Sequence, residues 1–143
     1  MIKTVFSTVL LILSLSPRIG SANDSPLKAV MQINNQNVEV VIRGLKNALE
    51  ISEEAQTAGT KLDLRLVVFG PAIDLFETST SPELRSFFQT VSKRNDVHFF
   101  ACDHTLKRIH KAAKHLLPGF TVIPSGPYEV LKLQRDGYLY IKP

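Results

Sequence analysis

The sequence predicts an α/β protein with three layers, α/β/α, around a mostly parallel five-stranded sheet. Three observations predict it. Apolar, β-compatible runs alternate with helical stretches along the chain, the pattern that builds a sheet covered by helices on both faces. One run, Leu66-Val67-Val68-Phe69, is continuously apolar, as a strand buried on both faces must be. Turn signals such as Gly70-Pro71, Pro118-Gly119 and Asp136-Gly137 separate the runs, because glycine and proline punctuate regular structure.

Leu27 to Ile33 is a first strand, and the asparagines of Asn34-Asn35-Gln36-Asn37 are cap candidates for a helix after it. Val38 to Ala55 places Val41, Leu45, Ala48 and Ser52 on one face at helical spacing, with Arg43, Lys46, Glu50, Glu53 and Glu54 elsewhere. Leu62 to Phe69 is a second strand that Gly70-Pro71 stops, and Ala72 to Phe76 is a short helical turn. Ser81-Pro82-Glu83 opens a helix to about Lys93, with a cap residue followed by proline at the first helical position. Val97 to Ala101 is a third strand, and Asp103 to Leu117 reads as one amphipathic helix closed by Pro118-Gly119. Phe120 to Ile123 is a fourth strand, Pro127 to Gln134 a short helix, and Tyr138 to Ile141 a last strand.

The first residues read as a targeting segment rather than fold. Lys3 gives a positive start, Val5 to Leu15 is an apolar run, and Gly20-Ser21-Ala22 supplies small residues for cleavage. The run is about half of the roughly 20 residues a membrane-spanning helix needs. Residues 1–22 are therefore expected to be a signal peptide and 23–143 a single domain, with an uncleaved N-terminal anchor as the alternative. The expected location is outside the cytoplasm, in the periplasm for a Gram-negative source, with no membrane association after cleavage. Cleavage removes Lys3 and Arg18 and no acid, so the net charge falls from +4 to +2. That charge is too small for the concentrated basic face nucleic acid requires, and no nucleic-acid partner is expected.

Chemistry narrows to one residue. The chain has a single cysteine, so Cys102 has no partner for a bridge within the chain. It is a buried inert thiol, an intermolecular bridge or a reactive group. It lies where a strand hands over to a helix, and unpaired N–H groups at a helix start favour a thiolate. His104 comes two residues on, with Lys107 and Arg108 on the next turns. Asp103 opposes them with a negative charge beside the thiol, and is itself a candidate helix N-cap. Because ligands on parallel sheets bind outside the carboxyl ends of the strands, Gly70-Pro71, Cys102-Asp103 and Pro124-Ser125-Gly126 are expected on one rim.

Other chemistries find no support. The histidines at 98, 104, 110 and 115 lack the i, i+4 spacing of a helical zinc pair, and no metal is expected. Lys107, His110, Lys111 and Lys114 would share one face of the helix and read as a solvated basic surface. There is no Gly-x-Ser-x-Gly, no Cys-x-x-Cys and no glycine-rich phosphate loop, so no cofactor is expected.

At its cysteine segment the sequence resembles a known family. Asp96-Val97-His98-Phe99-Phe100-Ala101-Cys102-Asp103-His104-Thr105-Leu106 is similar to the cysteine segment of the DsrE/DsrF-like family. The tail from Val122-Ile123-Pro124-Ser125-Gly126-Pro127 through Gln134-Arg135-Asp136-Gly137-Tyr138 to Pro143 resembles the same family, as does Leu66-Val67-Val68-Phe69-Gly70-Pro71-Ala72-Ile73. The resemblance spans residues 27–143. It implies a five-stranded parallel sheet, sulfur carried as a persulfide on the residue matching Cys102, and assembly as an oligomer. The expectation is thus an exported protein that binds or transfers sulfur through Cys102. Gly70, Pro71, Asp103, His104, Ser125 and Gly126 would shape its site, a homo-oligomer would be its assembly, and a sulfur donor or acceptor protein its partner. The alternative is a non-catalytic oligomeric binding module in which Cys102 is structural or redox-responsive.

Overall fold

The computed structural model describes residues 25–143; the expected signal peptide lies outside them. Five strands form one sheet: β1 (Leu27–Ile33), β2 (Leu62–Val68), β3 (Val97–Cys102), β4 (Phe120–Ile123) and β5 (Leu139–Ile141). All neighbouring pairs are parallel, in the order β4-β3-β2-β1-β5. The helices are α1 (Val38–Thr57), α2 (Pro82–Ser92), α3 (Asp103–Arg108) and α4 (Gly126–Arg135), with a 3-10 turn at Gly70–Phe76. Side-chain oxygens cap three helices by taking up N–H groups that the first turn leaves unpaired. Asn37 accepts from Glu39 N–H, Ser81 from Leu84 N–H and Ser125 from Tyr128 N–H.

The two faces of the sheet are covered unequally. Alternate residues of the strands point to opposite sides. On one side Met31, Ile33, Leu64, Leu66, Phe99 and Ala101 pack against Val41, Leu45 and Ala48 of α1, Leu84 and Phe88 of α2, and Leu106 of α3. On the other side Val30, Val67 and Ile123 meet Val130 and Leu133 of α4, together with Tyr138. The continuously apolar Leu66-Val67-Val68 is fully buried, in keeping with its place in the middle of the sheet. A polar staple ties the chain beyond α4 to the second face: Tyr138 Oη donates to Asp63 Oδ2 at 2.5 Å, and Arg65 holds the same carboxylate at 3.1 Å. Burial raises the Asp63 pKa, but the bonds from Arg65 and Tyr138 outweigh it and hold the carboxylate below its ordinary range.

One sequence expectation fails. The helix expected from Asp103 to Leu117 stops at Arg108. His110 then takes a left-handed φ of 54°, and a single 3-10 turn comes after it at Ala113–His115. Tertiary pairing overrides helical periodicity here. Lys111 turns back to the carboxylates of Asp74 and Glu77. Leu117 N–H donates to Phe76 O at 2.8 Å and Thr78 N–H to His115 O at 2.9 Å. These bonds tie the segment to the end of the Gly70–Phe76 turn while Leu116 and Leu117 enter the core. Lys107, His110, Lys111 and Lys114 therefore share no helix face.

Candidate functional site

β3 and β4 are neighbours whose chains leave in opposite directions. After β3 the chain enters α3, whose Leu106 joins the larger core; after β4 it enters α4, which covers the other face. Adjacent parallel strands that diverge in this way leave a crevice beyond their carboxyl ends. Cys102 is the last residue of β3, in register with Ile123 of β4, and so stands at that crevice. An open cleft of about 350 Å³ lies there, with Cys102 in its wall between Phe69 and Gly70 of the β2 side and Ser125 and Pro127 of the β4 side. His104, Thr105 and Arg108 of α3 complete it. A tighter hollow of about 80 Å³ at the ends of β1 and β5, beside Ile33, Val41 and Pro143, has neither cysteine nor histidine in its lining.

Cys102, not Asp103, is the N-cap residue of α3. That position aims its side chain at the N–H groups of the second and third helical residues, here His104 and Thr105. Cys102 is only 2% exposed. Burial alone would raise its pKa. The Thr105 hydroxyl and the N–H groups of Gly126, Thr105 and His104 outweigh that effect, and the thiol titrates below its ordinary 9.0. None of these contacts has the close geometry of an oxygen cap bond; they act on the thiolate, the form that bonding to the charged state favours. His104 N–H is shared, since it also donates to Pro124 O at 3.2 Å.

The donors are themselves held. Gly70 N–H donates to Thr105 Oγ1 at 3.1 Å, which occupies a lone pair and leaves the hydroxyl hydrogen for Cys102. Gly70 has a φ of +60°, a conformation that glycine adopts without a Cβ clash. Gly126 serves by close approach: a Cβ there would stand 2.7 Å from Phe69 Cδ1 and 2.8 Å from Phe69 Cβ. Only glycine lets the start of α4 come near enough to offer its N–H to the thiol. The two loops that leave β2 and β4 are thus tied to the sulfur through Thr105 and Gly126.

The charge beside the thiol is diverted. Asp103 Oδ2 pairs with Lys107 Nζ at 2.6 Å, one helical turn on, and does not line the cleft. Pro71 does not line it either. Gly70, Cys102, His104 and Ser125 do, and Gly126 reaches the thiol by its backbone. Sequence reasoning does not single out Phe69 or Thr105 and gives Arg108 no place in a cleft. For Thr105 a signal exists: a hydroxyl residue three positions after a cysteine that ends a strand. Among the described residues no three His, Cys, Asp or Glu side chains come together as metal ligands, and no helix is long and apolar enough to cross a membrane.

The chain is similar to known proteins in two ways. A family model, that of the DsrE/DsrF-like family, matches residues 43–143. Solved structures share the fold, two of them as follows. The protein of unknown function MTH1491 from Methanobacterium thermoautotrophicum superposes with a TM-score of 0.71 at 20% identity, covering 80% of this chain and 97% of that one. The ychN protein from E. coli superposes with a TM-score of 0.67 at 17% identity, covering 81% and 98%. At such identities the likeness is one of fold. No curated protein matches the chain.

Proposed function

The chain belongs to the DsrE/DsrF-like family, and from that premise we propose that it binds sulfur as a persulfide on Cys102 and passes it to an acceptor. The family is associated with sulfur metabolism. The observation that carries the reading is the place of one buried thiol in the wall of the cleft beyond β3 and β4, where the Thr105 hydroxyl and nearby N–H groups hold its pKa below the ordinary value. A thiolate is the nucleophile in sulfur chemistry. Its attack on a donor persulfide, R–S–SH, forms a bond from Cys102 Sγ to the sulfane sulfur. The R–S bond breaks with its electron pair, leaving R–S⁻ and a persulfide on Cys102. No net oxidation occurs, and the same donors that favour the starting thiolate favour it again when the sulfur departs.

Incubation with polysulfide is expected to add the mass of one or more sulfur atoms to the native protein, with none added to Cys102→Ser. An unchanged mass in the native protein, or an equal gain in the variant, sinks the proposal. The low exposure of Cys102 favours one second reading, a binding module whose thiol only packs. A thiol that resists alkylation until the protein is unfolded would select it. Burial also argues against a Cys102–Cys102 bridge between chains, because a disulfide needs the two Cβ atoms within about 4.5 Å.

Homo-oligomerisation and export belong to the same proposal. Tyr128, Leu131, Leu139 and Tyr140 expose large apolar surface on α4 and β5, which supports association, since exposed apolar patches mark interaction sites. The layout of residues 1–22 supports export. Light scattering of the purified protein is expected to give a multiple of the chain mass, and N-terminal sequencing a start at Asn23. A monomer mass, or an intact Met1 after export, would remove the respective part.

A further inference from the structure

The geometry points to a donor with a small anionic end, held by Arg108 while its reactive sulfur meets Cys102. This rests on the reading of Cys102 as the sulfur site and adds the class of molecule that brings the sulfur. No carboxylate lines the cleft. The acid nearest in sequence, Asp103, is neutralised by Lys107 at 2.6 Å. Arg108 lines the cleft and, among the described residues, makes no ion pair. The groups that donate to the thiol are all N–H or O–H. The cleft thus offers one unengaged guanidinium and no carboxylate, an arrangement for an anion rather than a cation.

A guanidinium is suited to the planar, paired recognition of an oxyanion. Thiosulfate is the simplest donor of this class. Attack of the Cys102 thiolate on its sulfane sulfur forms the Sγ–S bond. The bond to the sulfonyl sulfur breaks, and sulfite leaves with the electron pair. Atoms and electrons balance without an oxidant. Arg108 would hold the departing oxyanion, and a neutral donor would gain nothing from it.

The test compares alkylation of the full-length native protein by iodoacetate, an anion, and by iodoacetamide, its neutral counterpart. The ratio of the two rates cancels any change in the thiol itself. Arg108→Gln is expected to lower the iodoacetate-to-iodoacetamide ratio about tenfold, the worth of one charge-assisted hydrogen bond, and Arg108→Lys to restore part of it. Thiosulfate is expected to slow iodoacetamide in the native protein at concentrations that leave Arg108→Gln unaffected. A ratio that Arg108→Gln leaves unchanged, or a thiol that neither reagent reaches, overturns the inference. The two proposals fail separately: a protein with anion preference that gains no sulfur from polysulfide keeps this inference and loses the persulfide reading. One that gains sulfur with an unmoved ratio loses only this inference.

Discussion

Exchange of Thr105 for valine will move the pH profile of Cys102 alkylation upward and slow the reaction at neutral pH about tenfold, the effect of one lost hydrogen bond to a charged group. Thr105 acts on the sulfur twice, by its hydroxyl and by its backbone N–H. Valine keeps the shape and the N–H but removes the hydroxyl. Burial, which raises the thiol pKa, is then opposed only by the backbone donors. The same change also takes from Gly70 N–H its acceptor at 3.1 Å. Thr105→Ser restores both bonds and is expected to return the profile close to that of the native protein. Gly126→Ala should move it the same way as valine at 105, because a Cβ cannot stand 2.8 Å from Phe69 Cβ and the start of α4 must withdraw. A rate profile that is the same for Thr105→Val and the native protein would show that these donors do not set the thiolate.

The second large effect is on stability. Phe88→Ala is expected to cost about 3–5 kcal/mol, the range for removing a buried aromatic ring. Phe88 is 1% exposed and sits among three other rings, with centroids 4.7 Å away at Phe99, 5.3 Å at Phe120 and 5.7 Å at Phe76. Those rings come from β3, β4 and the Gly70–Phe76 turn, so one side chain of α2 braces both strands that diverge at the crevice. Native domains are stable by only about 5–15 kcal/mol, and the loss is a large share of that. Urea unfolding tracked by circular dichroism measures it. A midpoint shift worth less than about 1 kcal/mol would mean that the remaining rings close over the cavity.

The layers were legible because burial writes itself into composition. β1 was readable at both ends, and the Leu66-Val67-Val68 end of β2 as doubly buried, since a stretch covered on both faces has no polar positions to alternate. The end of α3 was not legible. Leu106 and Ile109 continue a helical period, and nothing local announces that Lys111 will turn to Asp74 and Glu77. The site divides the same way. Cys102, Gly70 and Ser125-Gly126 meet because they end parallel strands, which the order of elements foretells. Thr105 and Arg108 depend on where a six-residue helix points its side chains, and the sequence suggested a helix of fifteen. Asp103 read as an opposing charge and a cap candidate; its pairing with Lys107 lay at the i, i+4 spacing that forecasts such a bond.

The burial of Cys102 has a consequence for which atom of the persulfide proposed on it is attacked. An S–S bond is about 2.05 Å long, so the added sulfur stands out toward the cleft while Sγ stays enclosed at 2% residue exposure. An acceptor thiolate has two choices. Attack on the outer sulfur carries that atom away and returns Cys102 as a thiolate. Attack on the inner one expels hydrosulfide and leaves acceptor and protein joined as a mixed disulfide. The added sulfur stands between Sγ and the cleft, so the geometry favours the first outcome. A cysteine that is hard to reach becomes, once loaded, a regioselective one, and unfolding the loaded chain removes the selectivity.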